Sequence, residues 1–350
     1  LTFFNNSYLQ TKYTGLRGFI MRYLLLFLLW LGIFQTAPVI AADTIKIFTY
    51  RQPVLLAPIL EAYTKERGVE FQTVYAPKGL VARLQAEGQS AQADLVITTD
   101  ISRVKELADS GLLAPVASPV IARNVPAHLR AADNSWTALS LRARILAVSK
   151  SRVKKGEITE IEQLAEPQWQ GRLCSRPGSH VYNRALLASL IAHHGQVAAT
   201  KWTEGLVANL ARRPQGNDRA QAKAIFAGEC DIALMNTYYY GQMKFNKTEA
   251  EQRKWADSIE LVFFNQKGRG QHVNISAGGI LKTSKNRKAA IEFLEWLTTA
   301  EAQGLYTEIN FEYPVNPSTR PGAEIASWGE FKMDELALEE IARLSPAAQR

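Results

Sequence analysis

The chain has 350 residues, enough for two domains, and its 47% apolar and 21% charged residues are ordinary globular composition. Its 41 Lys and Arg against 33 Asp and Glu give +8; without Lys12, Arg17 and Arg22, which precede the expected mature start, 38 basic residues face 33 acidic ones, or +5. The surplus is spread along the sequence with no Lys/Arg block, which argues against a nucleic-acid partner and suits either an anionic ligand or a solvated surface.

Met21-Arg22 opens a short positive region, followed by an apolar segment from Tyr23 to Phe34 and the small residues Val39-Ile40-Ala41-Ala42. This order predicts a signal peptide over 21–42, cut near Ala41 or Ala42, with an apolar part too short for a comfortable membrane span. Residues 1–20 read as an over-extended translation start. The mature protein is expected in the periplasm. The only cysteines, Cys174 and Cys230, fall in its exported part. In an oxidising compartment they form one disulfide, closing a loop of more than fifty residues and contributing about 4 kcal/mol in the chain-entropy model.

From Thr44 the pattern alternates β and α. Ile45–Tyr50 reads as a strand, Val54–Arg67 as an amphipathic helix ended by Gly68, Val69–Tyr75 as a second strand and Leu80–Gly88 as a second helix. Asp94–Thr98 is a third strand, and Asp100 caps a helix through Asp109. Strands alternating with helices predict a parallel or mostly parallel sheet covered on both faces. Residues 115–140 hold three prolines and read as a connection around Trp136. Leu139–Val148 is then a strand with Arg142 and Arg144 on one face. Helices are expected near Ile158–Ala165, Tyr182–His194, Ala199–Ala211 and Asp218–Ala227, and a buried strand at Asp231–Met235. That strand delivers Tyr238-Tyr239-Tyr240 to a turn at Gly241, at the carboxyl end where open α/β sheets bind ligands. Strands at Ile259–Phe264 and Asn274–Leu281 and a helix over Lys288–Thr299 follow.

No nucleophile elbow, phosphate loop or dinucleotide fingerprint is present. His193-His194 reads as a solvated helix end. Arg176-Pro177-Gly178-Ser179-His180-Val181-Tyr182-Asn183 leads into a helix with Ser179 as N-cap, and free amides beside Arg176 could receive an anion. The tyrosine cluster is either an aromatic filler between lobes or a set of phenol ligands.

Several stretches, taken in order, decide between these. Leu139-Ser140-Leu141-Arg142-Ala143-Arg144, Trp169-Gln170-Gly171-Arg172-Leu173-Cys174, Tyr182-Asn183 and Arg213-Pro214-Gln215-Gly216-Asn217-Asp218 lead to Gly228-Glu229-Cys230-Asp231-Ile232-Ala233, Asn236-Thr237-Tyr238-Tyr239 and Gly278-Gly279-Ile280-Leu281-Lys282. Together they resemble the periplasmic ferric iron-binding proteins of bacterial ABC importers. The resemblance implies a type II, Venus-flytrap α/β protein with a mixed β-sheet flanked by helices in each lobe. It places the N-lobe at 43–141 and 266–313 and the C-lobe at 142–265 and 314–350. It further implies a monomer, not an enzyme, that holds Fe³⁺ through Tyr182, Tyr238 and Tyr239 and delivers it to an ABC permease in the inner membrane. Tyr240 competes for the second of these positions.

Fe³⁺ is a hard cation that favours anionic oxygen, and three phenolates match its charge. Where many relatives carry Arg-His-Tyr, this chain has Arg51-Gln52-Pro53. Proline cannot ligate and Gln is a poor ligand, which leaves room for carbonate or another synergistic anion. Arg51, Gln52, Arg142, Arg144 and Ser179 are expected to bind the anion or to support the metal ligands from behind, with an inter-lobe salt bridge as the alternative for the arginines. Two alternatives remain: binding of a small oxyanion or organic solute instead of iron, and a secreted metalloenzyme.

Overall fold

The computed structural model describes residues 44–350; the expected signal peptide and the segment before it lie outside the described residues. Strand β1 (Thr44–Thr49) leads to α1 (Pro53–Arg67), β2 (Glu70–Tyr75), α2 (Leu80–Glu87), β3 (Leu95–Thr98), α3 (Ile101–Asp109), β4 (Leu113–Ala114) and α4 (Pro119–Asn124). The long β5 (Thr137–Ser149) precedes β6 (Leu173–Cys174), α5 (Val181–Ala208), α6 (Asp218–Phe226), β7 (Ile232–Asn236), α7 (Thr237–Lys244), α8 (Ala250–Asp257) and β8 (Ile259–Val262). The chain closes with β9 (Val273–Leu281), α9 (Arg287–Trp296), α10 (Ala300–Ile309), α11 (Ala323–Ser327) and α12 (Leu338–Gln349).

Local chemistry sets many of these boundaries. Gly68 ends α1 in the left-handed region (φ 70°), and the Asp100 carboxylate accepts the Ser102 amide at 2.8 Å to start α3. The two helices expected between Tyr182 and Ala211 form a single span, α5, broken at Gly195 (φ 77°, ψ 162°). The helix expected at Ile158–Ala165 is a tighter 3₁₀ segment over Ile161–Ala165.

The strands run in the order β2-β1-β3-β9-β5-β7-β6, with β4 on β9 and β8 on β5. β1 is parallel to β2 and β3, and β6 to β7, whereas every pairing of β5 and β9 is antiparallel. The sheet is therefore mixed, as the family resemblance implies, rather than mostly parallel as strand–helix alternation alone suggests, because β9 returns from late in the chain to lie between β3 and β5. Strand β5 belongs to two sheets. Its first half, through Ala143, pairs with β9, and its second half, from Arg144, pairs with β7 and β8.

Each sheet has its own packing. Behind the first, Tyr63, Phe71, Phe293 and Trp296 form an aromatic cluster with centroids 4.7–6.1 Å apart. Asp94 staples this region together. Its carboxylate accepts the Lys46 amide, the Ser284 hydroxyl and the amides of Lys285 and Asn286 at 2.8–3.1 Å, joining β1 to the start of α9. In the second sheet, fully buried Trp169 packs with Leu146, Ile232 and Leu234. Cys174 and Cys230 are disulfide-bonded, with Cα atoms 5.9 Å apart. Helix α12 packs against both α3 and α5.

Candidate metal centre

Strand β7 is buried throughout and ends at Asn236, whose extended backbone starts α7. Tyr238 and Tyr239 therefore occupy the first turn of a helix. The expected turn at Gly241 is absent, and α7 runs on through it. A Cβ at Gly241 would meet Phe311 at 2.3 Å, so this glycine serves the close approach of a neighbouring side chain rather than chain reversal.

Tyr238 and Tyr239 stack with centroids 4.2 Å apart and both line a cavity of about 140 Å³. Tyr240 does not line it; its ring meets Trp328 edge-on at 5.8 Å, with the Lys244 ammonium 5.8 Å from its centroid. Tyr182 joins the pair from the first turn of α5, its hydroxyl 3.4 Å from that of Tyr238. At the roughly 2 Å bond lengths of small hard cations, two oxygens this close can reach one ion.

The N-cap of α5 is His180 rather than the expected Ser179. Its Nδ1 accepts the Tyr182 amide at 3.3 Å, and its ring lies 4.5 Å from the Tyr182 ring. Burial, reinforced by Arg176 and Arg144, pulls the His180 pKa down to about 3, which keeps Nδ1 free to accept. Ser179 is exposed and lies outside the cavity lining.

Arg51, Gln52 and Arg142 line the cavity, along with Tyr50, Tyr75, Thr99, Arg103, Arg176 and Glu312. Arg51 is buried in a two-point ion pair with Glu312 and donates to Ser276 Oγ at 3.2 Å. Arg142 donates to Ser276 Oγ at 3.1 Å, to the Ile275 carbonyl at 2.7 Å and to the Thr99 carbonyl. Arg144 lies outside the cavity lining, bonded to Asn183, Asn236 and Asp218. The buried Nε atoms of Arg51, Arg142, Arg144 and Arg176 have no partner among the described residues.

Burial raises the phenol pKa values of the pair. Tyr239 is pushed up to about 12, first by desolvation and then by the charges of Tyr182 and Asp218, while Tyr238 lies well above its ordinary value through desolvation and its two phenol neighbours. A trivalent cation would reverse that balance by stabilising the phenolates directly. Asp218 shows the opposite outcome. Burial opposes its charge, but Arg144, Arg176 and the Asn236 amide outweigh it and hold the carboxyl below its usual range.

Sequence reasoning missed Asp218, Glu312, Arg103, Tyr50 and Tyr75. Asp218 enters the sequence reading only as a helix start and the end of the 213–218 stretch, with no role attached, and Glu312 pairs with Arg51 across 261 residues, beyond any local signal. Among the described residues, no group of three or more His, Cys, Asp or Glu side chains is arranged to hold a metal.

The two-sheet α/β architecture with a tyrosine- and arginine-lined cleft is that of a two-lobed solute-binding protein. The chain belongs to the bacterial extracellular solute-binding protein family, whose model matches residues 49–304. It is 38% identical to the iron uptake protein A1 of Synechocystis sp. over 289 residues, covering 82% of this chain and 80% of that protein. Apo ferric ion-binding protein A of Pasteurella haemolytica superposes with a TM-score of 0.84 at 40% identity, over 88% of this chain and 96% of that one. A Trichodesmium protein solved in complex with iron and citrate ligands gives 0.82 at 36% identity, over 88% and 97%. These relatives are binding and transport proteins, not enzymes.

Proposed function

We propose that this protein captures Fe³⁺ through the phenolates of Tyr182, Tyr238 and Tyr239, completes the shell with a synergistic anion, and delivers the ion to an ABC permease from the periplasm. The observation that carries this reading is the convergence of three phenols from two helix starts on one small cavity. Four arginines line that cavity against one carboxylate, Glu312, so positive charge is left over once the phenolates neutralise the metal. Carbonate or another small oxyanion would answer it, with Arg142, Arg51 and Gln52 beside it. A volume of about 140 Å³ is below the roughly 300–1,000 Å³ typical of organic-ligand pockets, which favours an ion and a small anion over a bulky solute.

The protein would act as a monomer whose lobes, 43–141 with 266–313 and 142–265 with 314–350, hinge about the cleft. The halves of β5 on either side of Ala143–Arg144 support such a division. Adding ferric citrate with bicarbonate to the purified mature protein should produce a visible phenolate-to-iron absorption band that Tyr239→Phe weakens. A colourless wild type sinks the reading, as does a band that Tyr239→Phe leaves intact. The guanidinium Nε atoms without a partner among the described residues favour a second reading, capture of a small oxyanion without metal. Equilibrium dialysis against oxyanions in metal-free buffer separates the two.

A further inference from the structure

We propose that Asp218 is the positioning residue of the tyrosine cluster, setting the spacing between Tyr182 and the Tyr238–Tyr239 pair and holding two guanidiniums away from their phenolates. The inference rests on the iron reading above. Asp218 is fully buried in the first turn of α6 and accepts Arg176 Nη1 at 2.9 Å, Arg144 Nη1 at 3.2 Å and the Asn236 amide at 2.9 Å.

These bonds belong to a closed ring. Arg144 also donates to Asn183 Oδ1 at 2.6 Å and to Asn236 Oδ1 at 3.0 Å, and Asn183 Nδ2 returns to the Arg176 carbonyl at 3.0 Å. Asn183 adjoins Tyr182 on α5, and Asn236 starts the helix that carries Tyr238 and Tyr239. One carboxylate from a third helix thus couples the two helix starts that present the phenols. Its charge matters as much as its bonds. The Arg176 and Arg144 guanidiniums lie 5.1 and 6.0 Å from the Tyr182 ring centroid. Without Asp218 they would pair with the phenolates and compete with the incoming cation.

A buried ion cluster is weak grounds for stability and better explained by geometric specification. The test compares wild type, Asp218→Asn and a control, Asp94→Asn, which removes a buried carboxylate remote from the cavity. Each mature protein is titrated with ferric citrate and bicarbonate while the absorption band is followed, and near-UV circular dichroism is recorded without iron. Asp218→Asn is expected to bind iron about 10–100-fold more weakly, the scale of lost outer-shell support, with a displaced band maximum and an altered iron-free tyrosine signal. Asp94→Asn should lose stability but keep the wild-type band and affinity.

A wild-type band and affinity in Asp218→Asn overturns the proposal, and so does an equal loss in Asp94→Asn. If Asp218→Asn does not fold, the double variant Asp218→Asn/Arg144→Gln, which removes one charge of each sign, should show the same displaced band. An unchanged band there, or failure of both variants to fold, would reduce Asp218 to a purely structural role. A colourless wild type would instead remove the iron reading, while the iron-free dichroism of Asp218→Asn would still report on positioning.

Discussion

The phenol of Tyr239 meets the cavity beside Tyr238, whereas the next ring along, Tyr240, rests against Trp328 with Lys244 above it. Burial raises the Tyr240 pKa, and its side chain works as a packing element that ties α7 to the residue after α11. Tyr240→Phe keeps that ring contact and should leave iron affinity within about twofold. Tyr239→Phe removes one of the proposed ligands and should cost more than the roughly 10–100-fold typical of outer-shell changes. Competition against citrate, read at the phenolate band, checks both; comparable losses in the two variants would mean that the faces are wrongly assigned. The sequence pattern alone could not make this distinction. Strand alternation would pair Tyr238 with Tyr240, whereas at the helical start of α7 it is Tyr238 and Tyr239 that stack and line the cavity together.

At the level of elements, what the sequence reveals depends on how far away the partner lies. The Gly68 cap, the Asp100 cap and the buried run of β7 are decided by neighbours within a few residues, and they were legible. Gly241 was misread because its reason is Phe311, seventy positions later. Ala is the better helix former by roughly 1 kcal/mol, but overpacking against a ring typically costs about 1–3 kcal/mol. Gly241→Ala should therefore destabilise the protein, with a lower urea midpoint, and also weaken iron binding by displacing α7; a raised midpoint would show that propensity wins. Asp94 was likewise read only as a strand start, since its Ser284 partner lies 190 residues away. Burial pushes its pKa up, but the amides of Lys46 and Asn286 and the Ser284 hydroxyl outweigh this and lower it overall. A depressed carboxyl pKa contributes stability above the unfolded value of about 4 and loses it as pH falls through the folded value. Urea midpoints of the wild type should consequently fall below pH 4, while Asp94→Asn is weaker at pH 7 and flatter across the acid range. Parallel profiles would exclude Asp94 as a source of that dependence.

Across the whole molecule, the three phenols come from chain between β5 and β8, while the opposite wall brings Tyr50, Gln52, Tyr75 and Arg103. In the proposed site the first wall would take up Fe³⁺ alone, and the positive charge and neutral donors of the second would receive the anion. Loading and closure should then be separable steps. A ligand shifts a hinge only through contacts that differ between the open and closed forms, and metal bound by one wall makes few of them. Small-angle scattering should show a radius of gyration near the roughly 19 Å expected for about 300 folded residues. That radius should change little when Fe³⁺ is supplied from a weak chelate without bicarbonate and contract when bicarbonate is added. Arg142→Gln, which removes a guanidinium from the cavity, should load iron with a weaker anion requirement and contract less. Full contraction with iron alone would mean that the second wall supplies a ligand directly, and Tyr75→Phe and Gln52→Ala would then identify it.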